Sequence, residues 1–390
     1  MYKVKKATFL KILVFALGIG LLGIAMAGWV WPAAAASPPS TQPAITMNLA
    51  ADNGTCLACH SQPGLTRPLP SGETLALTID QNHFMSSVHS SVKCTDCHQN
   101  ISAFPHPELR AQSLREVSMQ FYTTCQQCHA KQYNQTLDSV HQKALAGGNT
   151  NAAICTDCHN PHTQAQITDP ASGKVLPEAR VWIPTVCARC HSAIYDQYKT
   201  SVHGSALIGS GNQDVPTCID CHGVHNIGNP TTAAFRLNSP QLCAKCHTDA
   251  SIMGKYGISI QVLNTYVADF HGTTVTLFEK TSPDQATNKP VCFDCHGVHN
   301  IKQVDDPVYG LAMKQNLLTA CQRCHPDADA NFPDAWMSHY IPSPTHEPLV
   351  YYVNLFYKIF IPTVIGGMLV YVLSDFVRRQ LERRKGARHV

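Results

Sequence analysis

Eighteen cysteines in this 390-residue chain fall into nine Cys-x-x-Cys pairs, and a histidine follows every pair at once. The pairs are Cys56/Cys59, Cys94/Cys97, Cys125/Cys128, Cys155/Cys158, Cys187/Cys190, Cys218/Cys221, Cys243/Cys246, Cys292/Cys295 and Cys321/Cys324. Their histidines are His60, His98, His129, His159, His191, His222, His247, His296 and His325. Two thiols so spaced can add across the vinyl groups of a haem as thioethers, and the adjacent imidazole is then held where it can ligate the iron. Three other uses of paired cysteines compete. Zinc normally takes two such pairs per ion, so nine do not divide, and zinc gives no reason for a histidine after each pair. Redox-active pairs belong to thioredoxin-like βαβ patterns, which do not surround these. Structural disulfides do not require this spacing nine times over. The sequence predicts nine covalently bound haems c.

Twelve further histidines remain among the 21. Eight of them recur in register with the attachment motifs: His89 and His106, His141 and His162, His203 and His225, His271 and His299. The segment CQQCHAKQYNQTLDSVHQ at 125–142 aligns with CARCHSAIYDQYKTSVHG at 187–204, and each leads to a CTDCH or CIDCH unit with another histidine beyond. A looser copy runs from CAKCH at 243 through YVADFHG to CFDCHGVH, and the segment from CLACH to FPH at 106 is a fourth. The exported part thus reads as four two-haem modules plus a ninth site, CQRCH at 321–325. Were residues 222–225 helical, His222 and His225 would share a face with Cβ atoms about 5–6 Å apart, and could not grip one iron from opposite sides. His225, and likewise His162 and His299, should therefore ligate a haem other than the one beside them. His203, twelve residues after His191, would be about 18 Å away along a continuous helix and should do the same. For the ninth haem the candidates are His339, which follows CQRCH in the manner of the module histidines, then His346 and His83. Met337 is a fourth, but methionine ligation raises the potential and no methionine recurs across the modules. Bis-histidine ligation throughout is the expectation.

These ligands must be positioned by very little chain. Successive first cysteines lie 38, 31, 30, 32, 31, 25, 49 and 29 residues apart. So short a segment cannot enclose each macrocycle in its own protein core. The expected fold is mostly α and irregular, with short helices wrapping a stacked haem chain and a C-terminal transmembrane helix added.

Both ends carry membrane signals. Lys3, Lys5, Lys6 and Lys11 precede an apolar run from Ile12 to Trp31, then Pro32 and AAAAS at 33–37. This is the layout of a secretory signal, and the run is also long enough to serve as an anchor, for which about 20 residues suffice. Either way residues 1–36 lead an exported domain. Near the other end, Ile359 to Val377 is apolar with few exceptions, chiefly Asp375, and Arg378, Arg379, Arg383, Arg384, Lys385 and Arg388 follow it. Flanking tyrosines, Tyr351, Tyr352 and Tyr357, resemble an aromatic belt, and the basic tail a positive-inside stop. A buried core helix would have no use for that tail. Residues 37–348 are then the haem domain outside the cytoplasmic membrane, and 349–390 the span and cytoplasmic tail. Ser37 to about Gly54, rich in Pro, Ser, Thr and Ala, reads as a linker. The formal charge of +3 misleads, because the exported part holds 18 basic against 24 acidic residues, a net −6. Nucleic acid is excluded as a partner, and cationic protein surfaces fit better.

The pattern resembles the exported multihaem c-type cytochromes of anaerobic respiratory and metal-reducing bacteria and archaea. The resemblance covers about residues 54–346, and the CxDCHGxH units at 218–225 and 292–299 are its most specific part. It implies mostly bis-histidine haems passing electrons in a chain. Membrane attachment by one span is similar to that of quinol-linked cytochromes, although those are anchored at the N-terminus and carry fewer haems. An electron conduit is the reading the histidines favour. An alternative is a multihaem oxidoreductase with one open iron acting on a small nitrogen or sulfur compound, but no CxxCK variant occurs and at least ten exported candidate histidines face nine sixth positions. A conduit of this kind needs an electron source at its membrane end, and one span shows no quinone or b-type haem site. The expected partners are the membrane itself, a polytopic cytochrome b-like quinol dehydrogenase packed on Gly366 and Gly367, and exported redox proteins or terminal acceptors.

Overall fold

The computed structural model describes residues 47–48, 52–101, 103–104, 106–336, 339–345 and 347–386. The residues read as an export signal, and His346, Met337, Arg388 and His389, lie outside that set. The chain divides into two units. In the first, the described part is a short antiparallel ladder of Met47–Asn48 with Ala103–Phe104. The second holds the other described residues, including every CxxCH motif.

Helices dominate the second unit and most are short. Among the described residues its strand structure is one ladder, Thr66–Pro68 with Thr74–Ala76, and an isolated bridge between Thr168 and Val175. Several helix starts are chemically marked. Ser113, Ser139, Ser201 and Thr232 accept from the amides of Glu116, Gln142, Gly204 and Phe235, satisfying donors that have no partner within the helix. The fold is mostly α and irregular, as the spacing of the motifs leads one to expect.

The polypeptide's own core is small. Leu237, Val275 and Val291, each 1% exposed, cluster with Phe278 and Phe293 packed against them, in or just ahead of the module that begins at Cys243. Elsewhere the buried apolar residues, such as Leu57, Phe84, Ile154 and Leu207, are scattered along the chain. A continuous core is what normally offsets the entropy of ordering a chain this long.

Two premises of the sequence reading need correction. Residues 222–225 are not helical: the helix Cys218–His222 stops at Gly223, whose φ of +78° is open to glycine and costly for other residues. Gly297, at φ +80°, ends Cys292–His296 in the same way. Nor does one helix join His191 to His203. Ser192–Lys199 ends, and Val202–Ser210 begins afresh behind the Ser201 cap. The chain reverses so tightly there that a Cβ on Gly204 would overlap the Tyr198 carbonyl oxygen, and Gly272 stands in the same relation to Tyr266.

Among the described residues one helix is long and apolar enough to cross a membrane, Pro348–Gly386, with a mean hydropathy of 1.8 in its apolar part. It contains the run from Ile359 to Val377 and extends beyond it at both ends. Near its C-terminal end Asp375 accepts from Arg378 at 3.1 Å and Arg379 at 2.6 Å, so the one acid in the run is neutralised by the basic segment following it.

Candidate functional site

The CxxCH motifs sit in two kinds of local structure. Those with aspartate before the second cysteine form one-turn helices: Cys94–Cys97, Cys155–Cys158, Cys218–His222 and Cys292–His296. Asp157, Asp220 and Asp294 each close the turn by accepting from the backbone N–H three residues back, at 2.7–2.8 Å, and Asp96 does so at 3.2 Å. The other motifs lie at or near the C-terminal ends of preceding elements, as Cys187 does in Pro177–Ala188 and Cys243 in Ala233–His247.

One cysteine of every motif is exposed and the other half-buried. The exposed one is the second in eight motifs, Cys59, Cys97, Cys128, Cys158, Cys190, Cys221, Cys295 and Cys324, and the first, Cys243, in the seventh. Cys59 lies in the last turn of Asn53–His60, and Cys128 directly follows the 3-10 helix Tyr122–Gln127. Cys190 and Cys324 each stand two residues beyond a helix end, at Ala188 and Gln322. A thiol that is to bond a vinyl carbon must be reachable, so the exposure of one thiol in every motif suits attachment.

Arginines hold the one-turn helices in place. Arg115 pairs with Asp157 at 2.7 Å, Arg180 with Asp220 at 3.0 Å and Arg236 with Asp294 at 2.6 Å. Each also donates to a carbonyl just ahead of the motif, of Ala152, Val215 and Lys289. In the first module Asn53 takes this place, accepting from the Cys94 amide and donating to the Val92 carbonyl. The sequence reading missed these arginines. Their signal was the CxDCH aspartate together with R-x-x-x-P-x-x-C, present at 180–187 and 236–243.

Each motif histidine faces a second histidine. Counting motifs in chain order, the ring centres are 6.3 Å apart for His60/His106, 6.0 Å for His98/His162, 6.1 Å for His129/His89 and 6.2 Å for His159/His225. They are 6.3 Å apart for His191/His141, 6.1 Å for His222/His299 and 6.3 Å for His247/His203. The last two pairs are His296/His339 at 6.2 Å and His325/His271 at 6.3 Å. A metal–imidazole bond is about 2.0 Å and the ring nitrogen lies about 1.1 Å from the ring centre, so two imidazoles trans on one metal place their centres about 6.2 Å apart. The residues fit haem iron on a second ground. Among the described residues no group of three or more His, Cys, Asp or Glu could hold a bare metal ion. A pair of imidazoles suits a metal whose other four positions are filled by a macrocycle.

The pairing crosses module boundaries. Beyond the first motif, each odd-numbered motif faces a histidine from the module before it, and each even-numbered one a histidine from the segment after it. His339 stands beside His296 rather than the ninth motif, and His271 takes the place beside the ninth motif's His325. His83 is exposed and pairs with Asp80 at 3.1 Å instead. A backbone clasp accompanies the exchanges between modules: the amides of Val88, Val140 and Val202 donate to the carbonyls of Gln164, Ile227 and Ile301 at 2.8–2.9 Å. Each donor precedes a histidine that reaches forward, and each acceptor lies two residues after one that reaches back.

Electrostatics favour the ligating form of these rings. Burial, aided by the facing imidazole, pushes His203 down to about 4, and burial with neighbouring His339 and His247 does the same for His296. His98, His162, His222, His225 and His339 are lowered too, chiefly by burial. All are therefore neutral near pH 7 and carry a free lone pair. Acceptors at Nδ1 direct the other nitrogen inward: the carbonyls of Leu77 for His60 and Pro161 for His89, and the Gln164 amide oxygen for His159.

Neighbouring motifs touch through their cysteines. Cys94 lies beside Cys56, Cys125 beside Cys155, Cys187 beside Cys218 and Cys243 beside Cys292. Cys97 lies near Cys125 and Cys128, Cys158 near Cys187 and Cys190, Cys221 near Cys243 and Cys246, and Cys295 near Cys321 and Cys324. Every motif thus adjoins the next in chain order.

A family model described as the doubled CXXCH motif matches residues 211–252, which contain Cys218–His222 and Cys243–His247. No solved structure matches the chain. The doubled motif implies covalently bound haem c and a c-type electron-transfer protein.

Proposed function

We propose that the chain carries nine covalently bound haems c, one at each CxxCH motif, and conducts electrons along them on the outer face of the cytoplasmic membrane. Haem, when bound, supplies reversible one-electron chemistry. The chain's own residues would supply two cysteine thiols and two imidazoles per site, with His106, His162, His89, His225, His141, His299, His203, His339 and His271 facing the motif histidines in motif order. The observation that carries this reading is the set of nine histidine pairs at 6.0–6.3 Å, each containing one motif histidine. Motifs that adjoin in chain order support a single row of sites, hence a conduit. With two imidazoles at every site no iron is left open to a substrate, which favours the conduit over the oxidoreductase. The matured protein is expected to show the mass increment of nine haems, wholly low-spin spectra and negligible carbon monoxide binding when reduced. Eight haems or fewer would sink the count, and one stoichiometric high-spin haem would turn the reading towards an enzyme.

The electron source in this proposal is a separate polytopic membrane subunit that oxidises quinol, similar to a cytochrome b, and the acceptors are exported redox proteins. The ninth motif ends 23 residues before the helix Pro348–Gly386 begins. Gly366 and Gly367 have nothing within 4 Å of where a Cβ would stand, which leaves room for a closely packed neighbouring helix. Purification from native membranes in mild detergent should retain that subunit, and quinol should then reduce the haems. Reduction by quinol of a chain purified alone would rule the separate subunit out.

A further inference from the structure

The residue two positions before the forward-reaching histidine is serine in three modules, Ser87, Ser139 and Ser201, and aspartate in the fourth, Asp269. The structure gives the reason for the change. In the first three modules the amide between that residue and the histidine donates to the clasp carbonyl of the next module, at Gln164, Ile227 or Ile301. No further CxDCH unit follows the fourth module, so the equivalent amide, of Phe270, has no such clasp. Asp269 Oδ1 accepts from it instead, at 2.6 Å. The other carboxylate oxygen, Oδ2, lies 3.2 Å from Nδ1 of His271. Five other facing histidines among the described residues, His60, His89, His106, His159 and His339, have an Nδ1 partner, and each is neutral: carbonyls of Leu77, Pro161 and Pro107, the Gln164 side chain and the Thr265 hydroxyl.

We propose that Asp269 is a positioning residue that sets the ninth haem to a lower reduction potential than its serine counterparts would, by hydrogen bonding through His271. A carboxylate accepting the Nδ1 proton makes the imidazole a stronger donor at its other nitrogen and so stabilises the more highly charged ferric state over the ferrous state. The end of the row nearest in sequence to the membrane helix thus differs from the rest. His339, opposite His296, feels the same carboxylate electrostatically without sharing the hydrogen bond, so the eighth site moves in the same direction and less. The inference rests on the nine-haem reading above.

The test is a spectroelectrochemical titration of the full-length, haem-loaded protein as wild type, Asp269→Ser, His271→Ala and the double variant. Asp269→Ser should leave nine electrons and low-spin spectra unchanged. It should move one component positive, changing its oxidised-to-reduced ratio about tenfold at fixed potential, which is about 59 mV for one electron, with a smaller shift in a second. In the His271→Ala background, where the ninth iron has lost its distal ligand, the same substitution should leave only the smaller shift. Nine low-spin components with none moving as much as about threefold would overturn the role of Asp269 and leave the nine-haem reading standing. Fewer than nine electrons, or high-spin iron in the wild type, would remove that reading and this inference with it.

Discussion

Made without covalent haem attachment, in a host lacking the export and ligation machinery, the chain is expected to yield no stable fold of its haem domain. Among the described residues the clustered hydrophobic core is Leu237, Val275 and Val291, and the other buried apolar residues are scattered along the chain. Burying one such side chain contributes about 1.5–3 kcal/mol, while ordering the backbone costs about 1–2 kcal/mol for every residue fixed. The clasp amides, the Arg–Asp pairs and the helix caps add specificity, but each contributes only about 1 kcal/mol net. Closure of the gap falls to the prosthetic groups, each of which would tie two cysteines and two histidines from different segments into one rigid body. In metal-dependent small domains binding is folding, and the same linkage applies here. Far-ultraviolet circular dichroism and limited proteolysis of the haem-free protein test this. The helix at the C-terminus should persist in detergent, since its hydrogen bonds are internal, while the haem domain is digested. A cooperative thermal transition in the haem-free domain, with native helicity, would show that the polypeptide core suffices.

The parts of this molecule that were legible in the sequence are those in which local chemistry decides the outcome. Cysteine pairs with their histidines can be found by eye, and an apolar run ending in arginines announces the helix Pro348–Gly386. That helices would be short and the fold largely irregular followed from the spacing of the motifs. What could not be read was which distal histidine faces which motif, because that depends on how modules dock. His339 looked like the partner of the ninth motif, its nearest neighbour in sequence, yet it stands against His296, and His271 stands against His325. The helical-face argument for His225 used a helix that Gly223 ends. Nor does the CxxCH pattern say which of its thiols is exposed, which is the second in eight motifs and the first, Cys243, in the seventh. The Arg115, Arg180 and Arg236 contacts were missed because an arginine gains meaning only once its aspartate, 40–58 residues later, is brought beside it.

Replacing His225 by alanine should open the iron at the fourth motif, Cys155–His159, and leave the sixth, Cys218–His222, low-spin. The two motifs make opposite forecasts for one substitution. Adjacency in sequence points to the sixth, three residues away, whereas the ring centres put His225 6.2 Å from His159 and His299 6.1 Å from His222. The pairing is reciprocal around the clasp at Val140 and Ile227, where the second and third modules meet: His141 reaches forward to His191 while His225 reaches back to His159. Loss of one axial imidazole converts that iron to a five-coordinate or water-bound state, since the other distal histidines are each matched to a motif of their own. The reduced variant should bind about one carbon monoxide per chain against almost none in the wild type, and about one in nine haems should become high-spin. Assignment comes from combining it with Cys155→Ala and Cys158→Ala, which remove the fourth attachment site altogether. If the fourth haem is the one opened, the combined variant carries eight haems and no longer binds carbon monoxide. Carbon monoxide binding that persists with eight haems would place the open iron elsewhere and break the reciprocal scheme at its centre.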